Sequence, residues 1–130
     1  TQATQEKMLT RMDDCARYMI PYFHGKATEM VFLLCLDAKC KVLCCKELGE
    51  GSVNAASISV RKVVETALAA NATTVVLAHN HTSGVALPSE SDQIVTRRVK
   101  MALKALDIDL MDHIIVSDGD FVSMAQSGML

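Results

Sequence analysis

The chain reads as an α/β domain: one mixed β-sheet flanked by helices. Three observations carry this. The predicted elements run α-β-β-α-β-α-β-β, and such an order places helices against a sheet. The run 29–36 is almost uniformly apolar, as in a central strand, and a second apolar run ends at Ala78. Other stretches repeat their apolar residues every three or four positions, the period of an amphipathic helix. At 130 residues a single domain spanning 1–130 is expected, with 1–25 an N-terminal helix and its lead-in.

Residues 4–20 are predicted helical, because Met8, Leu9, Met12, Ala16, Met19 and Ile20 form one apolar stripe. Pro21 and Gly25 close that segment. Residues 29–36 and 40–48 form a β-hairpin around Asp37-Ala38-Lys39. A loop follows from Gly49 to Ser52. Ser59 caps a helix over 60–70, whose apolar face is Val60, Val63, Val64, Ala67 and Leu68, and Asn71 stops it. The strand 73–78 ends at His79. Residues 82–87 form a loop, and 89–106 a second amphipathic helix with Ile94, Val95, Val99, Ala102, Leu103 and Leu106 inward. Two strands, 108–116 and 120–125, close the chain around Ser117-Asp118-Gly119.

Half the residues are apolar, enough for a sizeable core, yet aromatics are few and tryptophan is absent. Eight methionines and many Ala, Val and Leu must fill the interior. The net charge of −2 and a pI near 6.0 argue against a strongly basic nucleic-acid surface. Arg97, Lys100 and Lys104 share a helix face, which reads as solvated cations near a helix C-terminus. The first segment is polar rather than a secretory signal, and no apolar run has the length of a membrane span. Five cysteines, an odd number, suggest reduced thiols and a cytoplasmic setting. Cys40-x3-Cys44-Cys45 lacks the spacing of a zinc knuckle. Cys44 and Cys45 would point to opposite faces of a strand, so both read as small packing residues.

The most informative stretch is HNHTSGVALPSESD, residues 79–92. Side chains i and i+2 of a strand share a face, so His79 and His81, ~7 Å apart along the backbone, can converge on one ion. Asp92, brought back across a turn, can supply a third ligand. Three protein ligands leave a position for water, the mark of a catalytic rather than a structural zinc. Either fragment alone is weak: H-x-H often decorates a strand end, and Ser89-x2-Asp92 is most simply a helix capping box. Their conjunction is far more specific. The histidines end a strand and the Ser/Asp pair opens the next helix, the edge at which α/β sheets bind ligands.

The pattern H-x-H-x7-S-x2-D resembles the JAMM motif of MPN/JAB metallo-isopeptidases. The wording HNH-x-SG, then PS-x2-D, then Asp112-His113-Ile114-Ile115-Val116, is similar to the bacterial RadC family, from about Glu29 to the C-terminus. One departure is Thr82, where RadC proteins usually carry proline; threonine should loosen the loop without removing a ligand. The resemblance implies an MPN/JAB-like mixed sheet flanked by helices, in the three-layer arrangement also found in cytidine deaminases. It implies one zinc ion per chain held by His79, His81 and Asp92. It implies Glu29 as the general base and Ser89 as a hydrogen-bond partner of the tetrahedral intermediate. Without it, Glu29 is merely a charged residue before a strand, while Glu47, Glu50, Glu65 and Glu90 are weaker candidates. RadC-like proteins usually carry a helical region before this domain. Because the chain begins at Thr1, that region is expected to be missing.

The expected function is therefore a zinc-dependent hydrolase of amide or isopeptide bonds, with a peptide or protein substrate that the sequence does not identify. Two alternatives stand beside it: a non-haem Fe(II) enzyme, because two histidines and a carboxylate also hold that ion, and a scaffold in DNA repair. A serine-hydrolase reading fails for want of G-x-S-x-G around Ser89. A cytidine-deaminase chemistry fails for want of H-x-E and P-C-x2-C. Asp112 and His113 read as structural residues and His24 as a solvated loop residue.

Overall fold

A computed structural model of the chain describes residues 8–9, 12–50 and 58–130. Its elements are α1 (Met12–Met19), a 3-10 turn (Ile20–Phe23), β1 (Met30–Leu36), β2 (Val42–Glu50), α2 (Val60–Ala69), β3 (Thr74–Asn80), α3 (Glu90–Lys104), β4 (Asp109–Ser117) and β5 (Asp120–Ser123). The strands form one sheet in the order β2-β1-β3-β4-β5. Among the described residues only β3 and β4 pair in parallel, and α3 is the crossover between them. The predicted mixed α/β sheet is thus the observed one.

Strand alternation divides the core in two. Leu33, Cys35, Val75, Leu77 and Leu110 face Val63 and Ala67 of α2 and Val95, Val99 and Leu103 of α3. Leu34, Leu36, Val76, Ala78, Ile114 and Val116 face Ala16 and Met19 of α1 and Phe23. The molecule therefore has three layers, α/β/α. Cys44 packs with the first cluster and Cys45 with the second, on opposite faces as their adjacency requires. All five cysteines are free thiols.

Local chemistry sets the boundaries. Asp37 Oδ1 accepts from the backbone N–H groups of Lys39 (2.8 Å) and Lys41 (2.9 Å), making the hairpin turn. Ser59 Oγ accepts from Lys62 N (3.1 Å) and caps α2, and Asn71 stops it with a left-handed φ of 57°. Asp118 and Gly119, both at positive φ, turn β4 into β5.

Some expectations are corrected. Of the predicted 4–20 helix, residues 4–7 and 10–11 lie outside the described residues, as do Gly51 and Ser52 of the predicted loop. Met8 and Leu9 are not helical. Met8 bridges Lys41, and Leu9 N donates to Cys40 O (2.8 Å). The open backbone of the sheet edge and burial of Leu9 outweigh the weak preference for helix. The first helical segment does close around Pro21 and Gly25: α1 gives way after Met19 to the 3-10 turn, in whose first residues the missing N–H of Pro21 costs nothing, and Gly25 follows at φ 75°. Leu68, Ile94 and Leu106 are exposed rather than inward, because sheet and neighbouring helix cover a narrower stripe than the apolar pattern offers. The histidine-bearing strand runs to Asn80, two residues beyond its predicted end.

Candidate metal centre

Four segments meet at the C-terminal ends of β3 and β4. His79 is in the last turn of β3's ladder, opposite Val31 of β1 and Ile115 of β4. His81 follows the strand, and its N–H still donates to Val116 O (2.9 Å). The loop then returns through Val85 to Ser89, which opens α3. Ser89 Oγ accepts from Asp92 N (3.0 Å) and Asp92 Oδ2 accepts from Ser89 N (2.7 Å), a reciprocal capping box. The box turns the Asp92 side chain back toward the strand end.

The ligand atoms of His79, His81 and Asp92 lie within 4.8 Å of one another. His79 Nε2 is 3.2 Å from Asp92 Oδ1, and His81 Nε2 is 3.2 Å from Asp92 Oδ2. His79 and Asp92 are fully buried and His81 is partly open. His79 Nε2 and Asp92 Oδ1 are buried without a hydrogen-bond partner. Two such orphans facing each other are costly in a folded core. A cation between them satisfies both, so the residues present fit a metal ion.

Each ligand is also held from behind. His81 Nδ1 is 3.1 Å from Val85 O; a carbonyl only accepts, so this bond puts the proton on Nδ1 and leaves Nε2 as the donor to a metal. His79 Nδ1 is 2.9 Å from His113 Nε2, and His113 Nδ1 is 2.5 Å from Thr96 Oγ1. Burial would raise the pKa of the Asp92 carboxyl. The neighbouring His79 ring and the hydrogen bonds with Ser89 outweigh that, and hold it well below the usual carboxylate range. Burial, helped by His79, pushes His113 well below the ordinary imidazole value, so it is neutral.

The remaining expected residues fall as follows. Glu29 directly precedes β1 and is half-buried. The β1–β3 ladder ends at the pair Val31–His79, and Glu29 and His81 each lie two residues beyond it. Ser89 is exposed next to Asp92. Glu47 lies on β2 and Glu65 on α2, elements that supply no ligand; Glu90 is exposed at the start of α3. Asp112 touches none of the three ligands. Its carboxylate accepts from Ser123 Oγ (2.5 Å), Ala125 N (3.0 Å) and His113 N (2.7 Å), and ties β4 to the chain after β5. Even so, burial outweighs those bonds and raises its pKa. His24 is exposed, as are Arg97 and Lys104.

Sequence reasoning missed Thr96, and read His113 as structural without a partner. The available signal was a polar residue on the buried stripe of α3, one turn after Asp92. Beside the centre lies a cleft of about 560 Å³, lined by Phe23, His24, Asn80, His81, Thr82 and Ser117 among others. That size suits a bound small molecule or a few residues of an extended chain.

Fold and site together define a three-layer α/β domain with a His-His-Asp group able to hold a metal where two parallel strands end. The family profile described as RadC-like JAB domain matches residues 9–129, and the chain belongs to that family, which includes metalloproteases. Relatives bear only the name UPF0758 protein. One from Nitrosococcus oceani is 43% identical over 123 residues, 95% of this chain and 55% of that protein. One from Idiomarina loihiensis is 42% identical over 113 residues, 87% and 50% of the two chains. One from Aliivibrio salmonicida is 36% identical over 126 residues, 97% and 56%. The chain spans about half the length of the curated relatives it matches. Among the described residues no helix is long and apolar enough to cross a membrane.

Proposed function

We propose that the domain is a zinc-dependent hydrolase of amide or isopeptide bonds, acting on a peptide or protein substrate. The observation that carries this reading is the pair of orphaned buried atoms, His79 Nε2 and Asp92 Oδ1, facing each other beside an open cleft. Zinc held by His79, His81 and Asp92 would supply Lewis acidity, both for an attacking water and for the scissile carbonyl.

The chain's own residues supply the rest. Glu29 is the general base: its carboxylate takes the water's proton and passes it to the leaving nitrogen. Its place two residues past the ladder end at Val31–His79, as His81 is on the facing strand, supports that role. Ser89 Oγ already accepts the Asp92 N–H, so its own hydroxyl proton remains free to donate to a developing oxyanion. Capping and catalysis are then compatible in one side chain. Phe23 and Asn80 contribute walls of the cleft in which the substrate chain would lie. Five free thiols support a reducing compartment, the cytoplasm.

The test is Glu29→Gln, assayed against a peptide and isopeptide library. The variant should keep its zinc and lose about 10²–10⁴-fold in rate, because an amide cannot accept the proton. Hydrolysis of the best substrate at the wild-type rate would remove Glu29 from the mechanism.

A further inference from the structure

Cys35 and Cys44 stand directly opposite each other in the antiparallel β1–β2 ladder. Both face the α2/α3 side of the core. Cys35 is fully buried there, and Cys44 packs against the same cluster from the edge strand. Opposed residues in such a ladder have Cα atoms about 4.5–5.5 Å apart, inside the roughly 4.4–6.8 Å that a disulfide spans. A bulge follows at once, where the next pair skips to Leu36 and Val42. The bulge and the edge position leave β2 freer to draw toward β1.

The two thiols differ in access. Cys44 lines a groove of about 670 Å³ between β2 and α2, together with Leu43, Lys46, Lys62 and Thr66. A small solute can enter there. Cys35 has none of its surface exposed. Burial, and then the adjoining Cys44 thiol, pushes Cys35 up to about 12, so a solute does not find it reactive. A partner on the next strand does. Well-placed groups reach effective molarities of about 10⁵–10⁸ M, which offsets the scarcity of the Cys35 thiolate.

We propose that these residues form a peroxide-responsive thiol pair, in which Cys44 is oxidised first and Cys35 resolves it into a reversible disulfide across β1 and β2. Hydrogen peroxide is the oxidant. Its oxygen bonds to the Cys44 sulfur as the O–O bond breaks, and the leaving hydroxide takes up the thiol proton as water. Cys44 is then a sulfenic acid. The Cys35 sulfur attacks it: the S–S bond forms, the S–O bond breaks, and a second water carries off the Cys35 proton. Two electrons pass from the thiols to the peroxide. The pairing has a use, because a sulfenic acid left alone is oxidised on to the irreversible sulfinic acid. Opposed Cβ atoms are about 4.5–5.5 Å apart, whereas a disulfide prefers about 3.5–4.5 Å. The bond is therefore strained, and a small thiol such as glutathione reopens it. In a reducing compartment it forms only while an oxidant is present.

The test treats the whole chain with hydrogen peroxide, blocks remaining thiols with N-ethylmaleimide and maps the peptides by mass spectrometry. Trypsin cuts after Lys39, Lys41 and Lys46, so Cys35 and Cys44 fall in different peptides, and fragmentation between Cys44 and Cys45 tells those two apart. Wild type should give one intramolecular Cys35–Cys44 link, lost on addition of glutathione. Cys35→Ala should instead leave Cys44 as a sulfenic acid that dimedone traps, and as sulfinic acid with more peroxide. Cys44→Ala should leave Cys35 reduced. Sulfinic acid at Cys44 of the wild type in place of the link overturns the proposal, as does a link from either cysteine to a different partner. So does a wild-type Cys44 that stays reduced while peroxide oxidises free cysteine in the same tube. These three outcomes need no variant to fold.

Discussion

Asn80 Oδ1 accepts the backbone N–H of Met30 at 2.7 Å, and the same side chain donates through Nδ2 to Thr28 O at 3.2 Å. One amide between the two histidines thereby grips the residues on either side of Glu29. It ties the lead-in of β1 to the end of β3, which fixes the backbone of Glu29 relative to His79 and His81. An amide suits this because it offers both an acceptor and a donor.

Asn80→Ala should cost about 1–3 kcal/mol, since it leaves the buried Met30 N–H without a partner. It should also lower hydrolysis while zinc content stays near wild type. Amide hydrogen exchange checks the cause: Met30 should lose protection, while Val76 and Leu77 in the middle of β3 keep theirs. Unchanged protection at Met30 would show that the clamp does not hold the segment.

Purified protein should carry about one zinc per chain by elemental analysis. His79→Ala or His81→Ala should remove most of it; full retention in the double variant would sink the assignment. Iron as the resident metal would instead favour the non-haem Fe(II) reading. Chelation should not unfold the domain, because the centre lies at the rim of two apolar layers rather than replacing a core. Circular dichroism should keep its shape. The apo-protein should melt lower, with zinc at 100 times its Kd restoring about 2.7 kcal/mol.

Ser89 carries two duties that substitutions can separate. Ser89→Ala removes the cap of α3 and should cost about 0.5–2 kcal/mol. The backbone N–H that holds Asp92 Oδ2 is kept, so zinc content should stay near wild type. Ser89→Asn keeps a capping oxygen but has no hydroxyl. It should restore stability, yet stay slow in turnover if the hydroxyl acts on the oxyanion. Turnover at the wild-type rate in Ser89→Asn would reduce Ser89 to a capping residue.

Burial pushes the thiols of Cys15 and Cys35 up to about 12; Asp112 adds to the first and Cys44 to the second. At pH 8 the thiolate fraction is then on the order of 10⁻⁴. Iodoacetamide should leave both unlabelled in the folded protein, and label them in urea, as read by mass spectrometry. The sign for stability follows. The folded state keeps these protons after the unfolded chain has lost them, so stability falls as pH rises above about 8.5. Rapid native labelling of Cys15 at pH 8 would contradict its burial on the inner face of α1.

Much of this was legible before folding. Element order, the helix starts at Ser59 and Ser89, the stop at Asn71 and the turn at Asp118-Gly119 rest on local chemistry, which a sequence states directly. The three candidate ligands were legible too, because strand alternation and a capping box are short-range rules. Other features depend on residues distant in the chain. Met8 and Leu9 look helical alone, yet a sheet edge more than 30 residues away claims them. Leu68, Ile94 and Leu106 look buried, yet no layer reaches them. Above all, a one-residue slip between β3 and β4 decides that His113 meets His79 and that Thr96 meets His113. Register between strands more than 30 residues apart is a property of packing, and no local pattern encodes it.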